Sequence, residues 1–90
     1  MSRVIIHHRA AKYLKKLSKD EKEKIRQTLR KLENYPGKIS GIKYMKGEWE
    51  GFRRMRIGVF RVIFWYEEME DTVYIDHIGP RGDLYKCGVP

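Results

Sequence analysis

Four arginines, Arg53, Arg54, Arg56 and Arg61, crowd into a short stretch of this chain, and a fifth, Arg81, stands four residues before Tyr85. Arginine is a permanently charged planar fork that grips phosphate oxygens two at a time. Several fixed guanidiniums can neutralise charge that builds up on a phosphoryl centre. A tyrosine beside them can handle a proton or stack on a base. Lys46 precedes the group and Lys86 follows it. Arginine itself holds its proton too tightly to be an easy base. Glu48 and Glu50 are carboxylates near the arginines, and a polar loop accounts for them equally well. The chemistry that these residue types point to is phosphate recognition, with RNA the first substrate class to consider.

Other chemistries find little footing. Cys87 is the single cysteine, and no HExxH spacing or carboxylate cluster suggests a metal. His7 and His8 are adjacent, so in a strand they face opposite ways. His77 reads as a packing or surface residue at the end of a strand. No G-x-x-x-x-G-K-[ST] phosphate loop occurs.

The elements that must position the arginines are legible as periodicities. Arg3–His7 reads as a short buried strand around Val4, Ile5 and Ile6. Ala10, Tyr13, Leu14 and Leu17 form one helical stripe. Ser18-Lys19-Asp20-Glu21 has capping-box spacing, so a second helix should start at Lys19. Its stripe is Ile25, Leu29 and Leu32, and Tyr35-Pro36-Gly37 ends it. After Gly37 the period becomes two. Ile39, Ile42 and Tyr44 predict a strand or extended segment, interrupted by Gly47–Gly51. In residues 52–57, Arg53, Met55 and Ile57 share one face and Phe52, Arg54 and Arg56 the other. Side chains two apart on a strand stand roughly 7 Å from each other, enough to bridge neighbouring phosphates.

Gly58 marks a turn or bulge. Val59–Tyr66 is an apolar and aromatic central strand carrying one charge, Arg61. A charge there must be paired or reach a rim. A structural ion pair with Asp76 or an acidic loop residue, and a functional role, both fit. Glu67–Asp71 reads as an acidic hairpin loop, Thr72–Ile78 as the next strand, and Gly79–Pro90 as a loop-like tail.

Composition narrows the partners. The chain has 90 residues, enough for one domain spanning 1–90, and a net charge of +8. Hydrophobic residues make up 41%, with two Trp, six Tyr and three Phe, which argues for a folded core. Residues 1–45 hold 13 Lys/Arg against 4 Asp/Glu, and residues 46–90 hold 7 against 8. The helical half thus supplies a bulk basic field, while the strands hold cations in order. An acidic partner is favoured. The apolar runs are too short to span a membrane, and His7-His8-Arg9 follows too soon for a secretory apolar region, so cytoplasm is the expected location.

Three stretches together resemble the RelE/ParE superfamily of bacterial and archaeal toxins, the RelE branch most nearly. They are Tyr44-Met45-Lys46-Gly47, the run Arg54–Phe64, and Ile78-Gly79-Pro80-Arg81-Gly82-Asp83-Leu84-Tyr85. The resemblance implies an α+β microbial-RNase fold. Two N-terminal antiparallel helices would pack on a small, mainly antiparallel sheet in the order β-α-α-β-β-β. It implies the toxin of a type II toxin–antitoxin system: a ribosome-dependent mRNA endoribonuclease that inhibits translation by cutting in the 30S A site. The ribose 2′-OH would attack the adjacent phosphate and expel the 5′-oxygen, without metal or cofactor. A RelB-like antitoxin, mRNA and the ribosome are the implied partners.

Carried over by motif, the catalytic positions are Arg54, Arg56, Arg61, Arg81 and Tyr85, and the RNA-binding positions are Lys46, Arg53 and Lys86. Arg61 and Arg81 would neutralise the phosphate, Arg54 or Arg56 would assist proton transfer or charge stabilisation, and Tyr85 would orient the nucleotide or handle a proton. Pro80 stands where relatives often have histidine or lysine, and Arg53 where an aromatic or apolar residue is common. Two alternatives share the fold: a ParE-like topoisomerase inhibitor without RNase activity, and a non-catalytic RNA- or ribosome-binding domain.

Overall fold

The computed structural model describes residues 2–35, 37, 39 and 41–80; Arg81, Tyr85 and Lys86 lie outside the described residues. The elements in order are β1 (Arg3–Ile6), α1 (His8–Lys15), α2 (Lys19–Lys31), β2 (Ile42–Tyr44), β3 (Arg53–Ile57), β4 (Phe60–Glu67) and β5 (Thr72–Pro80). Short 3-10 turns follow α2 at Leu32–Asn34 and precede β3 at Gly47–Trp49. The α+β architecture expected from the sequence is present, and the extended segment before Gly47 is a paired strand, β2.

The strands form one sheet in the order β1-β5-β4-β3-β2. β1 runs parallel to β5, and every other neighbouring pair is antiparallel. α1 and α2 carry the chain from β1 to β2 at the opposite edge, and the antiparallel run β2-β3-β4-β5 brings it back so that β5 lies parallel beside β1. α2 starts where its capping residues dictate. The Ser18 hydroxyl accepts from the Glu21 backbone N–H at 3.2 Å, and the Glu21 carboxylate accepts from the Ser18 N–H at 3.2 Å. Such a cap contributes about 1 kcal/mol.

Both helices pack on one face of the sheet. Ala10, Leu14, Ile25, Leu29, Leu32 and Tyr35 meet Met55, Ile57, Phe60, Val62, Phe64, Val73, Ile75 and Ile78 there. Tyr35 stands edge-on to Phe64 and Tyr66, with ring centres 5.5 and 5.1 Å away. The alternation along β3 follows directly. Met55 and Ile57 are buried against the helices, so Arg54 and Arg56 must project from the far face. Trp49 and Ile63, flanked by Met45 and Phe52, make a second, smaller cluster on that far face.

The β3–β4 hairpin is tight: Ile57 pairs with Phe60, leaving a two-residue turn of Gly58 and Val59. Gly58 has φ +59°, the geometry that a hairpin turn with glycine first requires. β5 departs from the sequence expectation in two ways. It continues through Gly79 and Pro80, which pair with Arg61 and Phe60, where the sequence predicts a loop-like tail from Gly79; residues 81–90 lie outside the described residues. It also carries an extra residue: Ile75 pairs with Phe64 and His77 with Ile63, so Asp76 is bulged out of register. Among the described residues no helix is long and apolar enough to cross a membrane.

Candidate nucleic-acid interface

Register assembles the cations. Arg56 lies directly opposite Arg61 across β3 and β4, and Lys43 lies opposite Arg54 across β2 and β3. All four belong to the face away from the helices, because their strand neighbours Ile42, Met55, Ile57, Phe60 and Val62 pack with the helix-side core. Gly41, Lys43, Arg54 and Arg56 line a shallow depression at the β2 edge. Arg56 is exposed, Arg54 is half-buried and Arg61 is 93% buried, at 7% exposure. The row therefore grades from a solvated rim to a charge deep in the sheet. A cation close to the low-dielectric interior acts on a nearby anion far more strongly than one in open water.

Facing guanidiniums repel, at a cost of about 0.2–1 kcal/mol for like charges directly opposite on a sheet. An anion seated between them would turn that repulsion into attraction. The arrangement suits an anion such as phosphate.

Arg53 is not brought into the row. It projects toward the helices, with its guanidinium carbon 5.0 Å from the Tyr44 ring centre and 5.8 Å from that of Tyr35, and Nη1 donates to the Gly51 carbonyl at 2.9 Å. Its charge is taken up by aromatic faces. Burial and the Tyr44 hydroxyl raise the Tyr35 phenol pKa above its ordinary value, against the lowering pull of the Arg53 guanidinium. Lys46 is exposed at the start of the Gly47–Trp49 turn, off the paired register of the arginines.

The sequence does not assign two residues to this face: Lys43, and His77, which reads there as a packing or surface residue. Lys43 could have been found, since it alternates with Ile42 and Tyr44 and so shares parity with the arginine side. His77 could not. Val73, Ile75 and His77 have the spacing of one strand face, which would point His77 into the helix-side core. The bulge at Asp76 switches the parity, sending His77 to the arginine face while Ile78 returns to the core.

There His77 is 8% exposed, edge-on to Trp49 with ring centres 5.4 Å apart. Its Nδ1 lies 2.5 Å from Asp76 Oδ2, a close contact rather than an aligned hydrogen bond. Burial pushes the His77 pKa below the ordinary histidine value, Asp76 pulls it up, and Arg9 and His7 push it down again. Among the described residues no group of three or more His, Cys, Asp or Glu is placed to hold a metal.

A helix pair on one face of a five-stranded mixed sheet is a fold this chain shares with solved toxin structures. Residues 4–85 match the sequence pattern of the ParE toxin of the type II toxin–antitoxin system parDE. The chain belongs to that toxin family, within the RelE/ParE superfamily. Its fold is similar to RelE in the archaeal RelE–RelB complex of Pyrococcus horikoshii, at 26% identity and a TM-score of 0.77, covering 91% of this chain and 97% of that one. It is also similar to a chain of the toxin–antitoxin complex RelBE2 of Mycobacterium tuberculosis, at 21% identity and TM-score 0.79 over 89% and 98%. The isolated RelE toxin of E. coli matches at 16% identity and TM-score 0.73 over 98% and 95%. Among curated protein sequences, none matches the chain.

Proposed function

We propose that this toxin is an mRNA endoribonuclease of the RelE kind, acting in the ribosomal A site. The observation that carries the reading is the register of the cation row: Lys43 opposite Arg54, and Arg56 opposite Arg61, on one face of the sheet. The scissile phosphate would sit over Arg56 and Arg61. As the ribose 2′-OH attacks, its proton leaves, negative charge gathers on the non-bridging oxygens, and the guanidiniums stabilise it. The 5′-oxygen departs and takes up a proton. Arg54 and Lys43 would hold the next phosphate along the strand. Arg81 and Tyr85 follow β5 in the sequence and are assigned, with Arg61, to charge neutralisation and to handling the nucleotide or its proton. Lys46 and Lys86 would extend the electrostatic track. The scheme uses neither metal nor cofactor, and it places the protein in the cytoplasm.

A RelB-like antitoxin is the proposed protein partner. The complexes of the similar folds support this. So does the β1 edge of the sheet, where Ile5 and Ile6 are exposed and a groove is lined by Val4, Ile6, Arg26, Leu29, Arg30 and Glu33. An added strand or an amphipathic helix with acidic flanks fits such an edge.

The test is primer extension on mRNA in translating ribosomes, comparing wild type with Arg61→Ala and with the exposed Arg56→Ala. Cuts within A-site codons should fall by about 10²-fold or more, as when one preorganised donor is lost. Equal cleavage by the variants removes the assigned site. The match to a ParE toxin supports a second reading, a topoisomerase inhibitor without RNase chemistry. Intact mRNA with wild type, together with co-purification of gyrase, would move the assignment there.

A further inference from the structure

Beyond the row just described, one cation is held in an unusual way. Arg9, in the first turn of α1, is clasped by imidazoles. Its Nε donates to His7 Nδ1 at 3.2 Å, its Nη2 lies 3.5 Å from His7 Nε2, and its Nη1 lies 3.3 Å from His77 Nε2. The Arg9 backbone N–H also meets His7 Nδ1, at 3.1 Å. A simple tie of helix to sheet would use the carboxylate of Asp76, next to His77. Instead the side-chain contacts that Arg9 makes among the described residues are to imidazole nitrogens and none is to a carboxylate. His7 Nδ1 is the acceptor, its Nε2 only a near neighbour, and the guanidinium is oriented without a counter-charge.

The Asp76 carboxylate beside Nδ1 favours the proton there, which leaves Nε2 as the acceptor for Arg9. The carboxylate's charge thus selects the tautomer of the imidazole, and the imidazole's Nε2 orients a guanidinium. The remaining N–H groups of Arg9 face outward on an exposed side chain. Position matters as much as charge. His77 is two residues from Gly79, and Gly79 is the register partner of Arg61. The His77 end of the clasp therefore stands roughly 7 Å along β5 from the Arg61 row, on the same face.

We propose that Arg9, clasped by His7 and His77, is a second phosphate-binding position on the RNA path, one step beyond Arg61. It takes a backbone phosphate flanking the one at Arg56 and Arg61. His77 and Asp76 are positioning residues that fix the guanidinium and do not touch the RNA. The inference rests on the ribonuclease reading above and adds a subsite to it. Preorganisation is what distinguishes this arginine from the lysines along α1 and α2. The ordering cost of a long side chain is met before the ligand arrives.

The experiment is a fluorescence-anisotropy titration of a labelled 2′-O-methyl RNA oligonucleotide, which cannot be cut by 2′-OH attack, across a series of KCl concentrations. Wild type is compared with Arg9→Gln, His77→Leu, His77→Gln and Arg56→Gln, each checked for a cooperative melt. Arg9→Gln should bind about tenfold more weakly and lose about 0.7 from the slope of log K against log salt, the signature of one phosphate contact on a single strand. His77→Leu should lose part of both. His77→Gln, whose amide oxygen can accept from Arg9, should restore them, which a merely structural histidine would not do.

If Arg9→Gln keeps wild-type affinity and slope while Arg56→Gln loses both, the Arg9 subsite is wrong and the RNA reading stands. If wild type shows no salt-dependent RNA binding, the Arg9 subsite falls, and the ribonuclease reading stands or falls on primer extension in translating ribosomes. If Arg9→Gln binds RNA normally but loses the antitoxin, the guanidinium faces a protein carboxylate and the proposal is overturned.

Discussion

Replacing Arg56 by glutamine should make the unliganded protein more stable and its hold on phosphate weaker. Arg56 and Arg61 face each other across β3 and β4, so their Cβ atoms stand about 5 Å apart. Like charges in that relation cost about 0.2–1 kcal/mol. Arg56 is exposed, so glutamine sacrifices little packing, while Arg61 is buried, which limits screening by water. Taking about 0.5 kcal/mol, and a shift of about 4–8 °C per kcal/mol for a domain of this size, the melting temperature should rise by about 2–4 °C. The assay is scanning fluorimetry in a low-salt, phosphate-free buffer, repeated in about 1 M KCl and with inorganic pyrophosphate. High salt, where the Debye length is about 3 Å, should close the gap. Pyrophosphate should raise wild type more than the variant, because only a bound ligand stabilises the folded state. A variant that melts below wild type at low salt would mean Arg56 is favourably paired, and the strained-row reasoning would be refuted.

Two further outcomes follow from local structure. Ser18→Ala removes the hydroxyl that closes the α2 capping box, so the melting temperature should fall by about 4–8 °C, for about 1 kcal/mol, while mRNA cleavage at 25 °C is unchanged; an unchanged melt would show the cap is idle. Burial keeps the folded-state His77 pKa below its unfolded value. As pH falls through the unfolded histidine value of about 6.5, the unfolded chain takes up the proton first, and stability is lost down to the folded pKa. The melting temperature of wild type should therefore drop more between pH 7 and 5 than that of His77→Gln, and parallel pH profiles would contradict the buried-imidazole account.

Much of this molecule is written in its local periodicities. The Ile25, Leu29 and Leu32 stripe and the Ser18–Glu21 box place α2, and the parity of Arg54 and Arg56 against Met55 and Ile57 divides the sheet into a core face and a cationic face. The pairing of Arg56 with Arg61 needed one more fact, a turn of two residues, for which Gly58 gave only a hint. What escaped is non-local. A bulge adds one residue to β5 and reverses parity beyond it, so no period-two reading could aim His77 correctly. Arg9 sits in a helix whose sequence reads as a solvated basic surface, and its clasp exists only because β5 brings His77 beside the start of α1. Arg53 shows the converse case: a cation assigned to RNA binding by motif is drawn to Tyr35 and Tyr44 by the face that the period-two reading gives it, opposite Arg54 and Arg56.

The parallel pairing of β1 with β5 carries a consequence for how this toxin is born. Arg3 aligns with Thr72 and Ile6 with Ile75, so the strand at one edge waits for a neighbour that the ribosome makes long afterwards. Until then β1 has no sheet to join, and closing so long a loop is the slow, entropically costly step of folding. β5 also supplies Gly79 beside Arg61 and His77 beside Arg9. A nascent chain that has reached only β4 can pair Arg56 with Arg61 but has no β5 to hold that hairpin in a sheet with β1 and α1. Synthesis itself thus withholds the finished fold until β5 emerges, and a premature stop anywhere before Thr72 should yield a harmless fragment.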